Sequence, residues 1–557
     1  MIKQTTFALA LAALAVTSAK ASDVYVAGST AFRKNFELGI QAAGYTLIAS
    51  QGSSLTDSSK WTGANQNLWS NSGIIVHTSW VGSEAGVQSA LSPGLGSANG
   101  NGYTNGQVLF ITNTATGTGV SPTQLAFADI AGTDCSAALS RFQKQTVKFL
   151  NGASVKFPST GYRDVQVGVQ AFSFMADQSF TNTGVVSINA NAAKVLFQKG
   201  HIPLSLISGN ASDSTNTVWL TGRNADSGTR ITAFNEVGYG ALNTTTNYKI
   251  TAHDSNVITK IQIWPTNDSS VGIVNGSLNG VKVLPGDGGQ SSGGTLVSTI
   301  APLASGNSLL IDAGTNVAVT VNYTNFTGTN IVTNSAVGVA ATYDGVASAT
   351  APGTNYVISL KAAGAPTKKA TFSVVSYNTT NDVLTNPTVA AVKAYKNVSS
   401  IATNVASVYL PATNFVPSAT GSNYLISYAS VNDEINTGKT NFLGNLPILL
   451  SYNGNGGAAK VGTIAVTNSY VTLGDVPTTN YVTNFVVQDA IDNGIKNGSY
   501  TYWNYEHLIR GTSANAAADT VFTQITNKVI GAVAAPNLNS SDLNVTRQDG
   551  GYTIYNK

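Results

Sequence analysis

Val218-Trp-Leu-Thr-Gly-Arg-Asn-Ala-Asp-Ser-Gly-Thr229 reads as a strand that stops at Gly222 and a polar turn, with a helix from Arg230 to Val237 after it. Aromatic and β-branched residues favour the strand, glycine ends it, and an apolar period near 3.6 takes over beyond the turn. The same grammar recurs upstream. Val24-Tyr-Val-Ala is a strand, Gly28-Ser-Thr a turn, and Ala31 to Ala43 a helix with Phe32, Phe36 and Ile40 on one face. Gly73-Ile-Ile-Val-His-Thr is a strand, followed by Gly82-Ser83 and a helical Ala85 to Leu91. Val165 to Phe174 is a long strand and Asn191 to Gln198 a short helix. Strand, polar turn and helix in repetition predict an α/β fold with a mainly parallel sheet.

In such a sheet, ligands lie at the carboxyl ends of strands, where helix N-termini present free N–H groups that favour anions. Three junctions offer hydroxyls beside glycine: Gly28-Ser29-Thr30, Gly82-Ser83, and Asp226-Ser227-Gly228-Thr229. Arg223 adds a planar fork suited to an oxyanion. Taken one at a time, each junction is an ordinary helix cap; their recurrence in one α/β frame points to an anion site.

These motifs resemble the phosphate-binding proteins of ABC uptake transporters, in the type 2 periplasmic binding family. Arg223-Asn-Ala-Asp-Ser-Gly-Thr229 is similar to the family's arginine-to-Ser-Gly-Thr segment. Ala27-Gly-Ser-Thr-Ala-Phe32 and Val81-Gly-Ser-Glu-Ala-Gly86 resemble its first two loops, and Phe127-Ala-Asp-Ile-Ala131 its aspartate segment. The match covers about 22–300 and 430–510, in order. The resemblance implies two α/β lobes joined by a hinge, with the anion between them. It implies hydroxyl donors at Thr30 and Ser83, a paired charge at Arg223, and donors at Ser227, Gly228 and Thr229. Asp129 would accept the ligand's proton, which hydrogen phosphate has and sulfate lacks. It implies phosphate as ligand and an ABC membrane component as partner. Glu84 departs from the family pattern beside Ser83, and the aspartate segment aligns only after a one-residue shift.

From Gly306 to Ser422 the texture changes. Alternating and β-branched runs separated by Asn, Gly, Thr and Pro predict an inserted, sandwich-like β-domain. Its one helical reading is a short stretch from Val389 to Tyr395. The chain then divides into 22–305 and 423–557 for the α/β lobes, with 306–422 between them. In the return segment, Leu446 to Tyr452 reads as a strand, Asn484 to Asn493 as a helix, and Ala516 to Ile530 as a long helix.

The apolar run Phe7 to Val16 before Ala19-Lys-Ala21 has the layout of a cleavable signal peptide, residues 1–21. It is too short to span a membrane. The one cysteine, Cys135, lies far from the cleavage site, so no lipid anchor on a cysteine is expected there. A periplasmic, secreted or surface location follows as the expectation.

Charged residues are 10% of the chain, against roughly 25% in ordinary domains. The net charge of +3 falls to +1 once Lys3 and Lys20 are removed. Nucleic-acid binding, which needs a strongly basic face, is not expected. The four histidines, His77, His201, His253 and His507, lack paired spacing, so no metal or other cofactor is expected. Gly289-Gln-Ser-Ser-Gly293 matches a nucleophile-elbow pattern. In a chain this rich in Ser and Gly it is read as coincidence, and the protein as a non-enzyme. A surface or adhesive protein that reuses a binding-protein fold is the alternative, favoured by low charge and abundant Asn and Thr. The cluster Tyr500, Tyr502, Trp503 and Tyr505 offers either a sugar platform or strand packing.

Overall fold

The computed structural model describes residues 22–95, 106–149, 154–157, 159–254, 257–303, 309–311, 421–433, 447–455, 491–511, 513, 515–531 and 538–557, and the strands alone between 316 and 409. A mixed sheet of thirteen strands organises the molecule, with helices on its faces.

The first strand, Ser22–Gly28, pairs in parallel with Ile74–Ser79 on one side and Ile130–Thr133 on the other. Val24 and Val26 point to one face, fully buried. They meet Phe36 and Ile40 of the helix Arg33–Ala42 and Val521, Ile525 and Val529 of Ala516–Gly531. Those two helices touch at Gly39, where a β-carbon would lie 2.7 Å from Val529 Cγ2. The helix Ser83–Leu91 covers the other face, setting Val87 and Leu91 against Ala131 and Ile509.

Arg163–Ala176 ties the sheet together. From Arg163 to Ala171 it pairs antiparallel with Trp503–Arg510; from Phe172 to Ala176 it pairs with Asn423–Ser430 and Ile448–Tyr452. Asn423–Ser430 in turn runs parallel to Thr217–Leu220. A second core gathers around this end, with Phe197, Leu220, Phe234, Leu296, Leu425 and Tyr428 all buried. The registers set the carboxyl ends of the two groups of strands facing each other. Ser22–Gly28 and Ile130–Thr133 end toward the second group, whereas Thr217–Leu220 and Asn423–Ser430 end toward the first.

Between Asn316 and Tyr409 the strands form a five-strand and a three-strand antiparallel sheet. Thr388–Lys393 is a strand paired with Lys368–Ser373, not the helix expected over Val389 to Tyr395. Its β-branched Thr388, Val389 and Val392 suit a ladder better than a helix. The helix expected over Asn484–Asn493 falls mostly outside the described residues; helical turns run over 491–497. The aromatic cluster Tyr500, Tyr502, Trp503 and Tyr505 is buried, with Tyr502 stacked on Phe172, so it packs strands and offers no sugar platform.

Candidate anion-binding site

Arg223 follows the strand Thr217–Leu220 and is 1% exposed. Its Nε donates to the Gln290 carbonyl at 3.1 Å, and its Nη2 donates to the Ser291 carbonyl at 2.9 Å and to Thr30 Oγ1 at 3.2 Å. Its Nη1 is buried and has no hydrogen-bond partner among the described residues. The loop 288–292 holds this guanidinium in place. Gln290 N donates to the Gly222 carbonyl at 2.9 Å. A β-carbon on Gly289 would lie 2.2 Å from the Arg223 carbonyl carbon, so only glycine allows this approach. The Gly-x-Ser-x-Gly stretch thus serves as a clamp on Arg223, through the Ser291 carbonyl. Ser292 caps the following helix, Gly293–Ile300, by accepting from Thr295 N at 3.1 Å.

Ser227 caps the helix Gly228–Glu236, accepting from Arg230 N at 3.3 Å. Gly228 lies against the first group of strands: a β-carbon there would stand 2.2 Å from Ser83 Oγ and 3.0 Å from Asp134 Cβ. Thr229 Oγ1 donates to Asp134 Oδ2 at 3.4 Å, and Asp134 N donates to Ser83 Oγ at 3.3 Å. Thr30, Ser83, Arg223, Ser227, Gly228 and Thr229 therefore converge where the facing strand ends meet.

Asp129 does not join them. It precedes Ile130–Thr133 at the amino end, where its carboxylate accepts from Tyr25 N at 3.0 Å, Asn515 Nδ2 at 3.2 Å and Ser513 Oγ at 2.7 Å. The aspartate at the carboxyl end is Asp134, in Ala131-Gly-Thr-Asp-Cys135. It is fully buried, and desolvation pushes its carboxyl up to about 6 against the Ser29 hydroxyl and the Arg223 charge. Its Oδ1 has no hydrogen-bond partner among the described residues. The cluster so contains a buried donor and a buried acceptor, Arg223 Nη1 and Asp134 Oδ1, both unsatisfied among the described residues, which native interiors rarely leave.

Asp433 was also missed by the sequence reading. It follows Asn423–Ser430, accepts from Ser430 Oγ at 2.8 Å, and has its carboxyl raised by burial while Arg223 and Arg33 pull it down. Glu84, next to Ser83, is occupied elsewhere: it accepts from Ser140 Oγ at 2.8 Å and Arg141 N at 3.0 Å. Burial raises it to about 7, opposed mainly by Arg141. Arg141 also pairs with Asp226.

Such a cluster can hold a small oxyanion: a guanidinium N–H, hydroxyls and helix starts donate, and one carboxylate accepts. The other sequence candidates lie in structural roles. His507 Nδ1 bonds Asp164 Oδ1 at 2.6 Å, His77 bonds the Ile111 carbonyl and Asp23, and Cys135 is buried against Leu139 and Ile231. Among the described residues no group of three or more His, Cys, Asp or Glu could hold a metal ion. Among them, too, no helix is long and apolar enough to cross a membrane.

No family model and no curated protein matches the chain. Among solved structures, a phosphate ABC transporter substrate-binding protein with bound phosphate from Clostridium perfringens aligns at 14% identity with a TM-score of 0.20. That alignment covers 39% of this chain and 57% of that one, and at this score the likeness says nothing about what this chain binds.

Proposed function

We propose that this chain is an exported binding protein that captures a small oxyanion, phosphate before others, between two α/β lobes. The observation that carries the reading is Arg223: a guanidinium 1% exposed, 3.2 Å from Thr30 of the facing strand group, with one nitrogen unpaired among the described residues. An incompletely paired buried charge costs several kcal/mol; a tetrahedral anion between Arg223, Thr30, Ser83 and the start of Gly228–Glu236 relieves it. Asp134 supplies the selectivity that the sequence reading gave to Asp129. Ionised, it accepts the proton of hydrogen phosphate and repels sulfate. Arg163–Ala176, shared by both strand groups, is the hinge, and closure follows because only the closed form contacts the anion from both sides. No bond is made or broken; the function is capture and delivery to an ABC-type membrane component. An added β-domain is assigned to 306–422, of which the strands between 316 and 409 are described, and an export signal to residues 1–21, which lie outside the described residues.

Equilibrium dialysis of residues 22–557 against radiolabelled phosphate tests this. Retained phosphate that excess sulfate does not displace supports the reading. No retention moves the assignment to a surface or adhesive protein built on the same fold.

A further inference from the structure

A cavity of about 300 Å³ opens where the two strand groups meet, lined by Glu84 from one and by Ala225, Arg230 and Ile231 from the other. None of Thr30, Asp134 and Arg223 lines it. Glu84 and Ala225 line it, and Glu84 N donates to the Asp226 carbonyl at 2.9 Å. Its walls include the apolar Val147, Ile231, Leu242 and Leu284, and its volume is at the small end of ligand pockets. Leu242 and Leu284 are 36% and 43% exposed, so apolar surface is left facing solvent at the rim.

Its charges do not cancel. Arg141 is paired with Asp226 and Glu84, and Arg230 with Asp287. Lys148 and Lys282 also line the cavity, and neither has an ion-pair partner among the described residues. The antiparallel bridge Phe149–Val281 joins the two sides and sets Lys148 across from Lys282. Like charges directly opposite in a ladder repel. The lining is mixed, with Glu84, Gln145, Asn243 and Asp287 beside the apolar residues. Two ammonium groups without ion-pair partners among the described residues, in the same lining as Leu242 and Leu284, are complementary to an anionic head on an apolar body.

We propose that this cavity is a second ligand site, for a small organic carboxylate whose head bridges Lys148 and Lys282 and whose body rests on Leu242 and Leu284. The proposal does not depend on the Arg223 cluster binding anything.

Calorimetric titration of residues 22–557 with benzoate tests it, with acetate supplying the head alone and benzyl alcohol the body alone. Both lysines are exposed, so a Lys148→Ala/Lys282→Ala variant should fold normally. Benzoate is expected to bind at least ~10-fold more tightly than acetate or benzyl alcohol, and to lose at least ~10-fold in the double variant. Inorganic phosphate titrates the double variant as it does the unmodified protein. No benzoate binding, or benzoate binding unchanged in the double variant, overturns the proposal.

Discussion

Arg223 reaches from one strand group to the other and donates from Nη2 to the Thr30 hydroxyl, 3.2 Å away, while Nη1 of the same guanidinium has no partner among the described residues. Arg223→Ala should weaken phosphate binding by at least ~3 kcal/mol, about a hundredfold, because the buried anion loses its paired charge. Arg223→Lys keeps a charge but not the fork, and should recover only part of the loss. Calorimetric titration of both variants decides it; an affinity unchanged in Arg223→Ala removes the site.

Asp134 sets a pH rule for sulfate. Its carboxyl is raised to about 6, so it is mostly neutral below that pH and ionised above it. Sulfate should therefore bind measurably near pH 5 and be lost as pH rises through 6. Asp134→Asn should bind sulfate at either pH and no longer prefer phosphate. Competition titrations at the two pH values check this.

Gly228 tests the convergence of the helix start on Ser83. The β-carbon of Gly228→Ala would stand 2.2 Å from Ser83 Oγ, forcing the facing loops apart. Phosphate affinity should fall at least ~10-fold, while thermal unfolding shifts by only a few degrees, since the helix itself gains from alanine. An unchanged affinity would separate Ser83 from the site.

Glu84 gives the stability a slope with pH. Its carboxyl is raised from 4.5 to about 7 by burial, so the folded protein holds that proton more tightly than the unfolded chain. This contribution is most favourable below 4.5, is lost progressively between 4.5 and 7, and stays lost above that range; it amounts to at most ~3 kcal/mol. Glu84→Gln keeps an acceptor for Arg141 N and removes the titration. The variant should be the more stable of the two at pH 8, with a flatter profile, by denaturant unfolding at a series of pH values.

Glu37 should dominate the stability of the first core. It is fully buried and accepts from Trp69 Nε1 at 2.6 Å, Trp80 Nε1 at 2.7 Å and Thr78 Oγ1 at 2.7 Å. Glu37→Ala leaves the two buried indole donors unsatisfied, while Thr78 Oγ1 keeps the Asn67 carbonyl at 3.4 Å, and should cost about 3–5 kcal/mol in chemical unfolding, or prevent folding.

The sequence made the strand–turn–helix units legible because their apolar periods are strong and glycine punctuates them. Arg163–Ala176 and Ala516–Gly531 lie within a few residues of where the pattern put them. Thr46–Ser50 and Gln66–Asn71 were not legible as strands, since polar Gln66, Asn67, Ser70 and Asn71 break the alternation. Their pairing comes from the sheet, with Glu37 and Trp69 fixing the buried face. At the site, the loops around Thr30, Ser83 and Ser227 stood out through glycine and hydroxyl chemistry. Asp134 did not, because the short strand Ile130–Thr133 before it was unrecognised and Asp129 lay in a more familiar-looking segment. Applying the carboxyl-end rule to that strand would have found it. Asp433 is brought in by Asn423–Ser430, a long-range pairing that no local pattern reveals.

The most direct test is calorimetric titration of residues 22–557, stripped of bound ligand, with phosphate and then sulfate at pH 8. The account predicts saturable phosphate binding at micromolar affinity or tighter and no sulfate binding. The absence of phosphate binding, or equal affinity for both anions, would contradict it.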